Sequence, residues 1–313
     1  MGSRRQSRRR AAVRARSCAA TRVATAVLVG GCLATAPARA ERDLHERQGD
    51  DWYATQAALL GGSTLVNAVA LVAWQPQRPR VDAALRWERG TERNFAPGTS
   101  RASDATLVTS LVLPSATLPA YSGSGAGNAL LVYFEALEAS LLLQTVTKKS
   151  VARARPYTHL PQGAELAAAS HGDAYCSFYS GHSALSFAGA TAGSFLFAAL
   201  GDDLGPRTIH WVSTFTLASF TAHARVRAGR HYPTDVLVGS AMGIAGGVAV
   251  PLLQGVRPEL APAEVVGAVG GITGGTALAL ALPRRTRAHA ATVDLQIVPR
   301  AGGLLISLAT VLP

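Results

Sequence analysis

Seven apolar stretches in succession leave this chain little choice but a bundle of helices. They are Ala57–Trp74, Thr106–Tyr121, Asn128–Thr147, Ser183–Leu200, Thr208–His223, Val236–Gly255 and Glu264–Leu280. Most are 16–20 residues long, at the edge of what crosses a bilayer as a helix. They are rich in Ala, Gly, Ser and Thr, which lets helix backbones meet closely in lipid or in water. Pro114 and Pro119 predict a kink in the second stretch. Glu135 and Glu138 are costly against lipid, so they are expected to face the bundle interior. The expected fold class is all-α, a helical bundle of about six core helices.

The segments around the bundle differ in character. Gln75–Asp104 carries six arginines and three prolines and reads as a connection, with a short amphipathic helix around Val81–Arg89. The tail changes period: Val293, Leu295 and Ile297 alternate with Thr292, Asp294 and Gln296, and an apolar run resumes at Leu304 after Pro299–Gly303. That pattern predicts a small C-terminal β-hairpin. The expected boundaries are a leader over 1–40, a helical domain over 41–283 and an extension over 284–313.

The net charge of +11 invites a nucleic-acid reading, and its distribution removes it. Residues 1–40 hold nine arginines and no acid, which leaves 21 basic against 19 acidic residues beyond them. The basicity belongs to the leader. Only 16% of the chain is charged, below the roughly 25% of soluble domains, as suits a heavily buried or lipid-contacting protein. In the leader, Arg4–Arg16 is followed by apolar Val23–Leu33 and then Ala38-Arg39-Ala40, the pattern of a cleavable secretory signal. Ser3-Arg4-Arg5 lies too far from the apolar stretch for a good twin-arginine match. Leu28–Cys32 offers lipidation at Cys32 as the alternative to cleavage after Ala40. After such cleavage Cys176 is the only cysteine, so no internal disulfide forms, and it reads as a small buried hydrophobe.

Chemistry concentrates in three places. Lys148 and Arg155 stand seven residues apart, two turns of helix, so they are expected on one helix face, with Pro156 stopping the helix after Arg155. Ser180-Gly181-His182 opens a helix: Ser180 can cap it, Gly181 lets backbone approach a ligand, and free N–H groups there favour an anion. Arg225 ends a helix, and His231 and Asp235 flank Tyr232-Pro233-Thr234, with Pro233 suited to a first helical position. A carboxylate near an imidazole fixes its tautomer and makes the other nitrogen a better nucleophile. Each piece also has a bland reading: a basic helix end, a satisfied interior histidine, or a helix-opening acid. Lys149 and Arg153 read as surface charge, and Arg227 and Arg230 match Arg225 by type but not by spacing. In an up-and-down bundle the motifs gather at one end.

The combination and order, Lys-x6-Arg-Pro, Ser-Gly-His and Arg-x5-His-x3-Asp, resemble the three-part signature of the type 2 phosphatidic acid phosphatase and haloperoxidase superfamily. The resemblance runs from Lys148 to Gly239, with the helix pattern extending it over most of 50–257. It implies that His231 attacks phosphorus to form a phosphohistidine, that Asp235 orients it, and that His182 protonates the leaving oxygen and later helps activate water. It implies that Lys148, Arg155, Ser180, Gly181 and Arg225 bind the phosphoryl oxygens. No metal and no cofactor are expected. Two positions depart from the pattern: Tyr179 stands where proline is usual, and Ala224 where serine is usual. They bear on rate and substrate preference, the lost hydroxyl by about 1 kcal/mol.

The expected function is a metal-independent phosphatase acting on a phosphate monoester or pyrophosphate, of a lipid such as a phosphatidate or polyprenyl pyrophosphate. The expected partners are that lipid or a small phosphate ester and a membrane, with no nucleic acid. The alternatives are a soluble extracytoplasmic acid phosphatase and a non-catalytic anion-binding bundle. Vanadate-dependent halide oxidation fits poorly with a short chain of apolar helices. An extracytoplasmic location, in the periplasm or on the outer face of the inner membrane, follows from the leader. One tension stands: with the leader exported and every helix spanning, the third helix ends in the cytoplasm.

Overall fold

The computed structural model describes residues 50–284, except 77, 83, 123–125 and 171, and the backbone of 292–300 and 303–311. The leader lies outside the described residues. Among the described residues there are seven long helices: α1 (Asp50–Ala73), α2 (Pro97–Ser122), α3 (Ala126–Val151), α5 (Gly181–Leu200), α6 (Leu204–Arg227), α7 (Pro233–Leu253) and α8 (Pro262–Leu280), with a short α4 (Gly163–Ala169) between α3 and α5. All seven apolar stretches are helical. Each helix also takes in polar flanks that the apolar pattern leaves out.

α5 is the central helix, almost wholly buried, and it is there because its side chains are small. α7 lies on it through Gly239, Gly243 and Gly247, and α8 lies on α6 through Gly267, Gly271 and Gly275. Spacing of four residues puts each set on one helix stripe. A Cβ at Gly243 would sit 2.2 Å from the Ala184 carbonyl oxygen, so only glycine permits this approach. Larger side chains fill the remaining space in two clusters. One groups Leu118, Val132, Tyr133, Leu196 and Phe197 between α2, α3 and α5. The other groups Phe187, Trp211, Phe215 and Val236 between α5, α6 and α7. Pro114 and Pro119 both lie inside the continuous α2, and the Pro114 ring seats against Gly193.

Among the described residues, five helices, α1, α3, α5, α7 and α8, are long and apolar enough to cross a membrane. Polar pairs join them internally. Glu135 accepts from Gln254 at 2.7 Å and Glu138 from Asn67 at 3.3 Å, so both carboxylates face other helices, as intramembrane acids must. α1 runs parallel to α3: Tyr53 meets Asn128 at one end and Gln75, just past α1, meets Lys149 at the other.

Two expectations need correction. Val81–Arg89 is not an amphipathic helix. Val81 forms a β-bridge with Arg153: its carbonyl accepts from the Ala154 N–H, its own N–H and that of Arg80 donate to the Ala152 carbonyl, and a 3-10 turn at Arg89–Arg93 follows. The C-terminal hairpin is not supported as part of the fold. Strand-like backbone occurs at Thr292–Arg300 and Gly303–Val311, but side chains there lie outside the described residues.

Candidate active site

The motif residues collect at one end of the bundle, where α3 and α6 finish and α5 and α7 begin. Lys148 sits in the last turn of α3. Arg155 is not on that helix. α3 stops at Val151, Ala152 takes a positive φ of 47°, and the chain runs extended to Arg155. The bridge between Val81 and Arg153 holds this turn-out. The two cations therefore reach the site from different backbone directions, not from one helix face. The Arg155 guanidinium is buried and donates to Asp173 Oδ1 at 2.7 Å, to the Asp173 carbonyl at 2.8 Å and to the Arg230 carbonyl at 3.0 Å.

His231 is fully buried in the turn before α7. Arg155 Nη1 lies 3.0 Å from His231 Nε2, and arginine can only donate, so Nε2 carries the lone pair. Nδ1 then carries the proton and donates to the Ser177 carbonyl at 2.9 Å. Burial, and then the charges of Arg155, Lys148 and Arg225, hold this imidazole well below its ordinary pKa. The result is a neutral ring among cations, its Nε2 lone pair engaged by Arg155 and exposed to attack only when that guanidinium turns to another acceptor. That arrangement suits a nucleophile toward an anionic centre.

Asp235 does not hold His231 directly. Its Oδ2 is 3.7 Å from Nδ1, beyond hydrogen-bond distance, because that oxygen is taken by the Ser177 hydroxyl at 2.5 Å and the Tyr232 N–H at 2.9 Å. Asp235 acts through Ser177, whose hydroxyl it anchors and whose carbonyl fixes the ring. Its Oδ1 accepts from Arg153 at 2.6 Å. Arg153 is therefore not surface charge. It is buried, stacks over Tyr232 at 4.1 Å, and also binds Glu88 at 2.8 Å. Burial alone would raise the Glu88 pKa, but hydrogen bonds from Thr234, Arg153 and Leu85 hold it below the usual value. Lys149 is buried as well, donating to Gln75.

On the other side of the site, Ser180 caps α5, with the Ser183 N–H at 3.4 Å. Its own N–H donates to the Asp235 carbonyl at 2.9 Å, which ties the starts of α5 and α7 together. The Ser180 hydroxyl oxygen also accepts from the Ser183 hydroxyl at 3.0 Å, and among the described residues its own O–H stays free to donate. A Cβ at Gly181 would fall 3.2 Å from Lys148 Nζ and 2.7 Å from Gln144 Oε1, so glycine keeps that space open beside the ammonium group. His182 donates through Nε2 to Asp104 Oδ1 at 2.8 Å. The same oxygen accepts from Arg225 Nη1 at 2.9 Å. Arg225 is buried in the last turn of α6 and also donates to Ser100 and Ser103. At the two unusual positions, Tyr179 is buried with its hydroxyl unpartnered among the described residues, and Ala224 is fully buried.

The structure thus brings Lys148, Arg155, Gly181, His182, Arg225 and His231 around one end of the bundle, with Asp235 and Ser180 one step behind them. Reading the sequence missed Asp104, Asp173, Glu88, Arg153 and Ser177. Among the described residues, no group of three His, Cys, Asp or Glu is placed to hold a metal.

Fold and site together define a helical bundle of membrane type with buried cations and two histidines gathered at one end. Residues 129–258 match the model of the PAP2 superfamily, and over that segment the chain is similar to it. No curated protein matches the chain. Among solved structures it is similar to a transmembrane PAP2 type phosphatidylglycerolphosphate phosphatase from Bacillus subtilis. Identity is 17% and the TM-score 0.37, over 71% of this chain and 94% of that one. A likeness of that degree says nothing of substrate.

Proposed function

We propose that the protein is a membrane phosphatase that hydrolyses a phosphate monoester or pyrophosphate of a lipid through a phosphohistidine. One observation carries this reading. Lys148, Arg155 and Arg225 converge on the opening of α5 beside a neutral His231 whose Nε2 lone pair faces Arg155. An anion-binding bundle would need the cations alone.

In this reading a phosphoryl group takes the place beside Gly181, its oxygens held by Lys148, Arg155, Arg225 and the Gly181 N–H. His231 Nε2 attacks phosphorus, the P–O bond breaks, and His182 gives a proton to the departing oxygen. Water then attacks the phosphohistidine, His182 takes its proton, and phosphate leaves. Asp235, through Ser177, keeps the Nδ1 proton of His231 in place. Charge stabilisation by prepositioned donors is worth several kcal/mol where water is excluded. A lipid is favoured over a soluble ester because the helices around the site are of membrane type.

We also place the site on the extracytoplasmic face. α1 starts at the end of the bundle away from the site and finishes beside it. A basic N-terminal segment kept in the cytoplasm, with α1 crossing outward, puts the site outside. The same segment exported and cleaved, with α1 crossing inward, puts it inside.

Phosphate release from phosphatidate, a polyprenyl pyrophosphate and a small aryl phosphate, with EDTA present, tests the function. Release from a lipid substrate that persists in EDTA is expected. Release from none of them, or complete loss in EDTA, contradicts the reading. A cysteine introduced at Gln75, next to the site, should react with an impermeant thiol reagent in intact cells.

A further inference from the structure

Asp104 lies on α2, outside the segment that matches the family model, and its carboxylate oxygen is shared by two residues of the site. We propose that Asp104 is a positioning residue for the proposed reaction: it holds His182 by its Nε2 proton and keeps a protonated His182 tenable beside the Arg225 guanidinium. The inference rests on the phosphatase reading and adds a residue to it.

The geometry is specific. Ser100, Ser103 and Asp104 occupy positions i, i+3 and i+4 of α2 and so share one helix face. All three accept from Arg225 Nη1, at 3.1, 3.0 and 2.9 Å. Only the carboxylate also reaches His182, at 2.8 Å. Its side chain is half exposed at 46%, so it is no core ion pair whose loss would collapse the fold.

The chemistry explains why a carboxylate stands there. A general acid must carry an extra proton before the step, and a neighbouring guanidinium opposes a second positive charge on His182. Asp104 lies between the two and offsets that repulsion. With Nε2–H bound to Asp104, the ring presents Nδ1, which has no partner among the described residues, as the proton donor. As His231 Nε2 bonds to phosphorus, the P–O pair passes to the leaving oxygen, which takes the Nδ1 proton. His182 becomes neutral and keeps its hydrogen bond to Asp104. In the second step Nδ1 takes a proton from water. Asp104 itself neither gains nor loses a proton.

A positioning role for the general acid predicts dependence on the leaving group, which a structural or phosphate-binding role does not. The full-length protein in detergent is assayed for kcat/KM on benzyl phosphate, whose alkoxide needs a proton, and on 4-nitrophenyl phosphate, whose phenolate leaves readily. In Asp104→Asn, activity on benzyl phosphate is expected to fall on the order of 10²-fold, the low end for general acid catalysis. Activity on 4-nitrophenyl phosphate should fall much less, and this retained activity shows that the variant is folded. Asp104→Glu should recover part of the benzyl phosphate activity, and His182→Asn should show the same selective loss. Equal losses on both substrates in Asp104→Asn, or none on either, overturn the proposal. A wild-type substrate ratio in His182→Asn overturns the acid role of His182, and with it the role of Asp104. No phosphate release by the wild type from either ester, nor from a lipid phosphate, removes the phosphatase reading itself.

Discussion

Replacing Arg153 with methionine is the perturbation whose cost the structure states most clearly. The guanidinium is 6% exposed and ties together two carboxylates, Glu88 and Asp235, that are both fully buried. Methionine keeps much of the bulk and removes the charge. Breaking a buried ion pair from one side typically costs about 3–5 kcal/mol, because the partner stays buried and charged. Here the loss belongs near the lower end, about 3 kcal/mol, because each acid keeps other donors. Glu88 retains the Thr234 N–H and hydroxyl and the Leu85 N–H, and Asp235 retains the Ser177 hydroxyl and the Tyr232 N–H. At about 2–4 °C per kcal/mol for a chain of this size, unfolding in detergent should move down by about 6–12 °C. A compensating Glu88→Gln in the same chain should recover part of that loss, since it removes one stranded charge. Turnover should also fall, because Asp235 anchors the residue that holds His231. An Arg153→Met protein that melts and turns over like the wild type would refute the reasoning.

Three further outcomes follow from particular contacts. Gly243→Val places side-chain atoms against the Ala184 carbonyl, so α7 must leave α5, and yield and melting temperature should both fall sharply. His231 has its pKa pulled well below the ordinary value of about 6.5, first by burial and then by Arg155, Lys148 and Arg225. It therefore stays neutral as pH falls through that value, and the acid-side loss of kcat/KM should begin below it once substrate ionisation is corrected. The unfolded chain binds that proton first, so stability should decline as pH drops below about 6.5. Gly181→Ala puts a methyl group 3.2 Å from Lys148 Nζ and closer still to Gln144, and KM for the phosphate ester should rise with little change in melting temperature.

The bundle was legible because its signal is long. Apolar stretches such as Val236–Gly255 and Ser183–Leu200 admit one secondary structure, and the small residues in them announced close packing. The gathering of His182, Arg225 and Asp235 at one end followed from helix order. What escaped reading was short-range and three-dimensional. Lys148 and Arg155 stand at helical spacing, yet Ala152 turns the chain out of α3 between them, held by the distant Val81. Four-residue spacing of His231 and Asp235 suggested contact, yet Ser177, from the loop before α5, stands between them. Arg153 resembled surface charge because its partners, Glu88 and Asp235, are 65 and 82 residues away. Asp104 had no motif around it, since its meaning comes only from the packing of α2 against the site end of α6.

The central claim is that His231 receives the phosphoryl group. Incubating the protein with a 32P-labelled lipid phosphate, quenching rapidly and mapping the label tests it most directly. The expected result is an acid-labile, base-stable phosphohistidine at His231 that is absent in His231→Ala. Label on another residue, or phosphate release undiminished in His231→Ala, would contradict the account.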